Sequence, residues 1–351
     1  MIYGYYIIAF LVALVLSLVL TPVVRFLAQK YNLAIPQPRP RDIHGKPIPR
    51  LGGVALFVSF WLVVIGYLLI NPDQLNFINN KIFGIDKNLL GVFLGSLVLI
   101  IVGIIDDIRG MKPWIKLFWQ LVAAIIVVIF GIKIWWFSNP LGGANIILAN
   151  WTYIFVPVWT VLIINVINWL DGLDGLADGI SLISLFVLGF LALAPNVNQP
   201  ATALMCAILA GSAAGFLFFN FNPAKIFLGD SGSMFLGFMI AIASIISGGK
   251  VATAALVLGV PILDAIWVIL RRIFSKKSPM QADKFHLHHR FLDIGLSQRQ
   301  TVLILYTLSA GFGIVALQNG TRGKMIAGLW LLGIMIIMGI SLVVCKKRKT
   351  I

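Results

Sequence analysis

Uncharged apolar stretches of about 20 residues recur along the whole chain, each about long enough to cross roughly 30 Å of hydrocarbon. In such a solvent the backbone must satisfy its own polar groups, which leaves helices or a closed barrel. A barrel wall needs apolar and polar positions in alternation, and none is visible. With 60% of the 351 residues hydrophobic and 11% charged, the chain reads as all-α, a polytopic transmembrane helical bundle. About eleven spans can be marked by length, near 4–27, 51–70, 89–107, 115–131, 151–169, 177–195, 201–219, 232–248, 250–273, 300–317 and 325–345. The first follows "MIYGYY", with no basic flank and no small-residue cleavage site, so it is expected to remain as a span. Cys206 and Cys345 fall in or beside spans and form no spaced set, which points to packing thiols and not to a disulfide or zinc framework.

Loops rich in Lys and Arg stay cytoplasmic, so charge sets the expected orientation. With the N-terminus outside and the C-terminus cytoplasmic, only Lys81, Lys87, Lys133, Lys250, Arg322 and Lys324 of the 27 basic residues fall outside. The net charge of +15 is then mostly a basic cytoplasmic face, suited to anionic headgroups and phosphates. Nucleic acid is not an expected partner, because no soluble domain remains to present that charge. There is no long linker, low-complexity tract or internal repeat. Residues 1–351 are therefore expected to form a single transmembrane domain whose function is built from short loops.

All 12 acids are aspartates. Asp73 and Asp86 fall outside and Asp264 within a span, while the others gather on the face that topology made basic. Adjacent Asp106 and Asp107 close the third span, and both stay ionised only beside cations; Arg109 and Lys112 follow them. A simpler reading has the pair capping the fourth helix and bonded to Arg109. In "NWLDGLDGLADG", Asn168, Asp171, Asp174 and Asp178 would share one face of a continuous helix. Gly172, Gly175 and Gly179 argue instead for a break, with Asp174 or Asp178 as N-cap of the sixth span. In "FNFNPAKIFLGDSGSMFLGF", Gly229 and Gly232 permit close approach of a ligand, Ser231 or Ser233 can cap the next helix, and that helix's first amides favour a phosphate. Asp230 among them calls for a cation, and hard oxygen ligands with phosphate point to magnesium.

Two further pieces complete the set. "KFHLHHRFLDIG" holds His286, His288 and His289 between Lys284 and Arg290. Its spacing matches no closed zinc site, so the imidazoles read as donors to phosphates or a stack for a nucleobase. "RDIHGKPIPRLGG" supplies His44, Lys46 and Arg50 ahead of Gly52 and Gly53; alone it would be an ordinary positive-inside flank. All five pieces fall on one side of the membrane in an orientation chosen from Lys and Arg alone. Asp264 lies about two turns from Arg271, and either faces the same cleft or bonds a neighbouring helix.

Carboxylates for a metal, cations for phosphates and a position at the lipid boundary describe a site that joins a soluble phosphorylated donor to a lipid phosphate. Phosphoryl transfer asks chiefly for positioning and charge neutralisation. A transporter would instead place acids near mid-bilayer, paired across repeated halves, and only Asp264 is so placed.

The paired aspartates after the third span, "NWLDGLDGLADG", "FLGDSGS" and "HLHH" resemble, in order and spacing over residues 40–295, the polyprenyl-phosphate N-acetylhexosamine-1-phosphate transferases of glycosyltransferase family 4. The span count suits the undecaprenyl-phosphate alpha-N-acetylglucosaminyl 1-phosphate branch. The sister branch, which uses UDP-N-acetylmuramoyl-pentapeptide, tends to show three consecutive histidines and "TPTMGG"; here Leu287 interrupts the histidines and "PIPRLGG" stands instead. The resemblance implies that Asp230 ligates Mg2+, with Mn2+ as an alternative, and that Asp106 and Asp107 lie beside the reacting phosphates. It implies that Asn168, Asp171 and Asp174 hold the uridine diphosphate end, that His286, His288 and His289 bind the donor diphosphate or sugar, and that Lys46, Arg50 and Arg290 are supporting cations. The implied reaction transfers N-acetylglucosamine 1-phosphate from UDP-N-acetylglucosamine to undecaprenyl phosphate at the cytoplasmic face of the cell inner membrane, releases UMP and opens a cell-envelope polysaccharide pathway such as lipopolysaccharide or teichoic acid biosynthesis. A homodimer is also implied. Muramoyl-pentapeptide or another acetamido sugar is the alternative donor.

Overall fold

The computed structural model describes residues 4–35, 47–78, 80–246, 250–275 and 286–349. In chain order the elements are α1 (Gly4–Lys30), α2 (Gly52–Ile70), β1 (Lys81–Ile82), β2 (Ile85–Asp86), α3 (Lys87–Arg109), α4 (Pro113–Ile129), β3 (Trp136–Phe137), β4 (Ile146–Ile147), α5 (Thr152–Leu170), α6 (Leu176–Leu193), α7 (Pro200–Asn220), α8 (Gly229–Ile246), α9 (Val251–Val257), α10 (Gly259–Phe274), α11 (Leu287–Asp293), α12 (Gln298–Gln318) and α13 (Thr321–Lys349). The strands form two small antiparallel hairpins.

Among the described residues nine helices are long and apolar enough to cross a membrane, or ten if α9 and α10 count as one. The chain is a multi-pass membrane protein. Two of the expected spans are modified. Residues 250–273 do not form one straight helix: α9 and α10 meet at a bend of 78°. Pro261 lies in the first turn of α10; it has no N–H to return to Val257, so the helical ladder cannot run on through the bend. The fourth span, α4, has 17 residues, about 25 Å of rise, just short of a full hydrocarbon crossing.

Helix α8 forms the axis of the bundle. Met234, Phe235, Phe238 and Met239 are fully buried among Phe60 of α2, Leu99 of α3, and Ile163 and Ile164 of α5. Lipid tails give helices no hydrophobic reason to associate, so close packing depends on small residues. Gly211 and Gly215 of α7 serve this purpose, since a Cβ on either would strike the α1 carbonyls of Phe10 or Leu14. The start of α3 is fixed by Asp86, whose carboxylate accepts from the amides of Asn88 and Leu89 at the helix end and of Phe77 and Ile78 in the preceding turn. The C-terminal ends of α3 and α5 meet the N-terminal ends of α2, α4, α6 and α8 at one end of the bundle, and α11 lies against it. At the opposite end stand Trp135, Trp136, Trp151 and Tyr153, all exposed, the residue types that mark a membrane–water boundary.

Candidate active site

Two distant stretches are seated together by main-chain bonds. Phe227 N donates to Pro49 O (2.8 Å), Gly52 N to Phe227 O (3.0 Å) and Gly53 N to Leu228 O (3.0 Å). This pairing sets Arg50 beside Gly229, the first residue of α8. Gly229 has φ 74°, and a Cβ there would collide with Arg50 O and the Asp107 carboxylate. Only glycine lets the three segments approach so closely.

Asp107, in the last turn of α3, accepts from Asp230 N (2.8 Å), Ser231 N (3.1 Å) and Ser231 Oγ (2.7 Å). A carboxylate from α3 therefore caps α8. This corrects the expectation that α8's first amides are open to a phosphate: an aspartate from another helix already satisfies them. Ser231 is a donor to that cap, and Ser233 Oγ donates to Gly229 O (2.9 Å), so neither serine caps the helix.

Asp230 projects from the same turn. Its Oδ1 accepts from Asn168 Nδ2 (2.6 Å) and from Lys116 Nζ (3.0 Å). Lys116 also contacts Asp106, whose other oxygen accepts from Met111 N (2.5 Å). One ammonium thus stands between two carboxylates. Asp106 does not cap α4, which has no side-chain cap, and the cation beside it is Lys116 and not Arg109. Lys116 lies one turn into α4 and points inward, whereas Arg109 is exposed at the end of α3. Below this layer Gln120 and Asn165 pair, Asn165 Nδ2 donating to Gln120 Oε1 (2.7 Å). Lys116, Gln120 and Asn165 were not picked out by the sequence reading; a lone Lys in the first turn of an apolar helix, four residues before a Gln, is the signal that was available.

Asp171 follows α5. Burial, with the Asp230 charge added to it, pushes its carboxyl up to about 7 against the pull of the Arg50 guanidinium. Asp174, 3% exposed, turns away from the cluster: its Oδ2 accepts from Asn222 Nδ2 and Ala224 N, both at 3.0 Å, tying the α7–α8 connection to the loop before α6. The expected cap of α6 by Asp174 or Asp178 is not formed. Gly175, at φ 77°, is the N-cap, its N–H donating to Asn220 Oδ1 (3.1 Å), because Asp174 is engaged by the α7–α8 connection and Asp178 already lies inside the helix. Asp178 is fully buried, and neither of its carboxylate oxygens has a hydrogen-bond partner.

The histidines reach this end through α10 and α11. Asp264 accepts from His286 Nδ1 (2.8 Å) and from Leu287 N (2.9 Å), so the acid within α10 anchors the start of α11. His286 and His288 stack at 5.6 Å, and His289 lies 4.4 Å from His288. His288 packs on Gly172, where a Cβ would come within 2.6 Å of its Nε2. Burial, then the neighbouring His289 and His286, hold the His288 imidazole well below its ordinary pKa, so it is neutral at pH 7. Arg290 follows on α11, half-buried. Lys46, His44 and Lys284 lie outside the described residues.

Among the described residues no three His, Cys or Asp side chains are grouped tightly enough to hold a metal alone. Magnesium usually takes one or two carboxylates and completes its shell with water and phosphate. Asp230 and Asp106, already bridged by an ammonium, form a donor set of that kind.

The sequence model described as Glycosyl transferase family 4 matches residues 89–248, which contain both α3 aspartates, Lys116, Asn168, Asp171 and Asp230. A Bacillus subtilis (strain 168) protein named "Probable undecaprenyl-phosphate N-acetylglucosaminyl 1-phosphate transferase" is 37% identical over 317 residues, covering 89% of this chain and 84% of that protein. The decaprenyl-phosphate N-acetylglucosaminephosphotransferase of Mycobacterium leprae (strain TN) is 34% identical, covering 97% and 90% respectively. The undecaprenyl-phosphate alpha-N-acetylglucosaminyl 1-phosphate transferase of Thermotoga maritima is 32% identical, covering 87% and 88%. The chain therefore belongs to glycosyl transferase family 4, among the polyprenyl-phosphate N-acetylhexosamine-1-phosphate transferases that its motifs resemble.

Proposed function

We propose that the protein transfers N-acetylglucosamine 1-phosphate from UDP-N-acetylglucosamine to undecaprenyl phosphate, releasing UMP, at the cytoplasmic face of the cell membrane. The observation that carries this reading is the gathering of Asp106, Asp107, Asp171 and Asp230 at a single end of an apolar bundle, with Lys116 shared between Asp106 and Asp230. An oxygen of the lipid phosphate attacks the donor's β-phosphorus. A new P–O–P link forms on the lipid, and the bond to the bridging oxygen breaks, leaving UMP. Direct attack is the simpler course, since the lipid phosphate is already an anionic nucleophile. Asp230 would hold Mg2+, which neutralises diphosphate charge and polarises the phosphoryl group.

The other side chains have separable tasks. Lys116 meets negative charge that develops on the reacting phosphates. Asp106 orients Lys116, and Asp107 fixes the turn from which Asp230 projects. Asn168 and Asp171 face the nucleotide end, while Asp174 holds their loop in place. Neutral His288 donates to the donor diphosphate or sugar without adding charge, His286 and His289 are further donors, and Arg50, Arg290 and Lys46 serve as supporting cations. One phosphoanhydride replaces another, so the reaction is expected to be reversible.

The test is to supply purified protein with UDP-N-acetylglucosamine, undecaprenyl phosphate and magnesium and identify the nucleotide released. Lipid-dependent UMP supports the reading. UDP would mean transfer of the bare sugar, and UMP only with a muramoyl-pentapeptide donor would reassign the substrate. Asp230→Asn should abolish magnesium-dependent turnover in a folded protein; normal turnover would remove Asp230 from the metal role.

A further inference from the structure

The 78° bend between α9 and α10 opens a cavity of about 530 Å³ at the end of the bundle opposite the aspartate layer. Its walls are apolar, with Phe155 of α5, Leu256 of α9, Ile262 of α10 and Leu331 of α13 among them. Two lysines line it as well, Lys250 before α9 and Lys324 in the first turn of α13. Lys324 Nζ donates to Thr253 Oγ1 (2.8 Å), a fully buried hydroxyl, which fixes the ammonium against the cavity wall. Among the described residues neither lysine has a carboxylate within ion-pairing distance. Two like charges lining one apolar cavity repel, and an anion between them relieves the repulsion. Trp136 also lines the cavity and belongs to the exposed aromatic set at this end, so the lysines stand at headgroup depth.

We propose that this elbow is a binding site for an anionic phospholipid, with the phosphate between Lys250 and Lys324 and an acyl chain along Leu256, Ile262 and Leu331. The occupant is not the reacting lipid. A 23-residue helix such as α3 spans about 35 Å between the two ends, too far for a phosphate held here to reach Asp230. The site is also independent of which sugar donor the active end takes.

The test uses the full-length protein in neutral detergent, with phosphatidylglycerol and phosphatidylcholine of identical acyl chains, and counts bound lipid by native mass spectrometry. A basic residue near a membrane surface is worth roughly a fivefold preference for anionic lipid, so two lysines should give about a 25-fold preference for phosphatidylglycerol. Lys250→Gln with Lys324→Gln should remove that preference, and Lys250→Arg with Lys324→Arg should keep it. Equal affinity of the wild type for both lipids, or an unchanged preference in the double Gln protein, overturns the proposal. So does displacement of phosphatidylglycerol by equimolar glycerol phosphate, which would make the site one for a soluble anion. As a readout that needs no variant, phosphatidylglycerol with a photoreactive acyl chain should label Leu256, Met325 or Leu331 in the wild type. Labelling confined to other surfaces overturns the assignment.

Discussion

Replacing Lys116 with Met tests the electrostatic centre of the active end. The ammonium lies 3.0 Å from Asp230 and also contacts Asp106, with side-chain exposures of 22% for Lys116, 27% for Asp230 and 3% for Asp106. Methionine keeps the length and removes the charge. Breaking a fully buried ion pair costs about 3–5 kcal/mol, while an exposed pair is worth under about 1 kcal/mol; this mostly buried triad belongs between, at about 2–3 kcal/mol. The two carboxylates then confront each other without a counterion, so a divalent cation should stabilise the variant more than the wild type. At about a hundred times its Kd, a bound ion contributes about 2.7 kcal/mol, enough to offset the loss. The assay is thermal unfolding in mild detergent, first with chelator and then across a magnesium titration, with UMP release measured in parallel. Lys116→Met should unfold earlier in chelator, recover its midpoint with magnesium and turn over at least tenfold more slowly. Equal midpoints in chelator would refute the counterion argument. Equal magnesium shifts in the two proteins would refute entry of the ion between Asp106 and Asp230.

Gly172→Ala drives a methyl group into His288 Nε2, at 2.6 Å for the ideal Cβ; we expect the ring to shift and kcat/KM to fall about 10–100-fold, measured by UMP release, with the unfolding midpoint little changed. Asp264→Asn keeps one acceptor but loses the charged bond to His286, so it should raise KM for the UDP-sugar more than it lowers kcat, and Asp264→Ala should do so further; identical KM in all three proteins would remove Asp264 from the positioning role. His288 supplies the pH test. Its folded pKa is depressed, so its contribution to stability is complete above about pH 6.5 and falls with acidification by up to about 1.4 kcal/mol per pH unit. Asp171 has the opposite sign: raised to about 7, it costs stability as pH rises from about 4 to 7. The two slopes oppose each other between about pH 4 and 6.5, so in chelator His288→Gln should leave the Asp171 slope unopposed and gain stability on acidification relative to the wild type, and an unaltered pH dependence would show that His288 is not buried in its neutral form.

What the sequence disclosed, and what it concealed, follow from how far each interaction reaches along the chain. Span length is a local property, so the apolar runs were legible. Their terminal motifs were legible too, because alternating spans bring every second loop to one side whatever the packing between them. Which partner each aspartate finds is not local. Asp107 reads as an acid for the cations or the helix that follow it, yet it is spent on the amides of Asp230 and Ser231, more than a hundred residues away. Asp174 reads as a helix cap and is committed to Asn222 and Ala224. Lys116 was invisible because its meaning lies in two carboxylates on α3 and α8, while Arg109, nearer in sequence, looked the better partner. The 78° bend was likewise masked by uninterrupted hydropathy, although Gly259 and Pro261 were in plain view. In an apolar solvent these cross-helix bonds carry unusual weight, because a carboxylate that fails to find its donor has no water to fall back on. This makes Asp178, buried with no partner for either oxygen, the exception that the same logic must explain. Burial without a donor disfavours a charged carboxylate, so Asp178→Asn, which is close in shape and uncharged, should be tolerated in both stability and turnover, whereas an ionised Asp178 would make that substitution markedly stabilising.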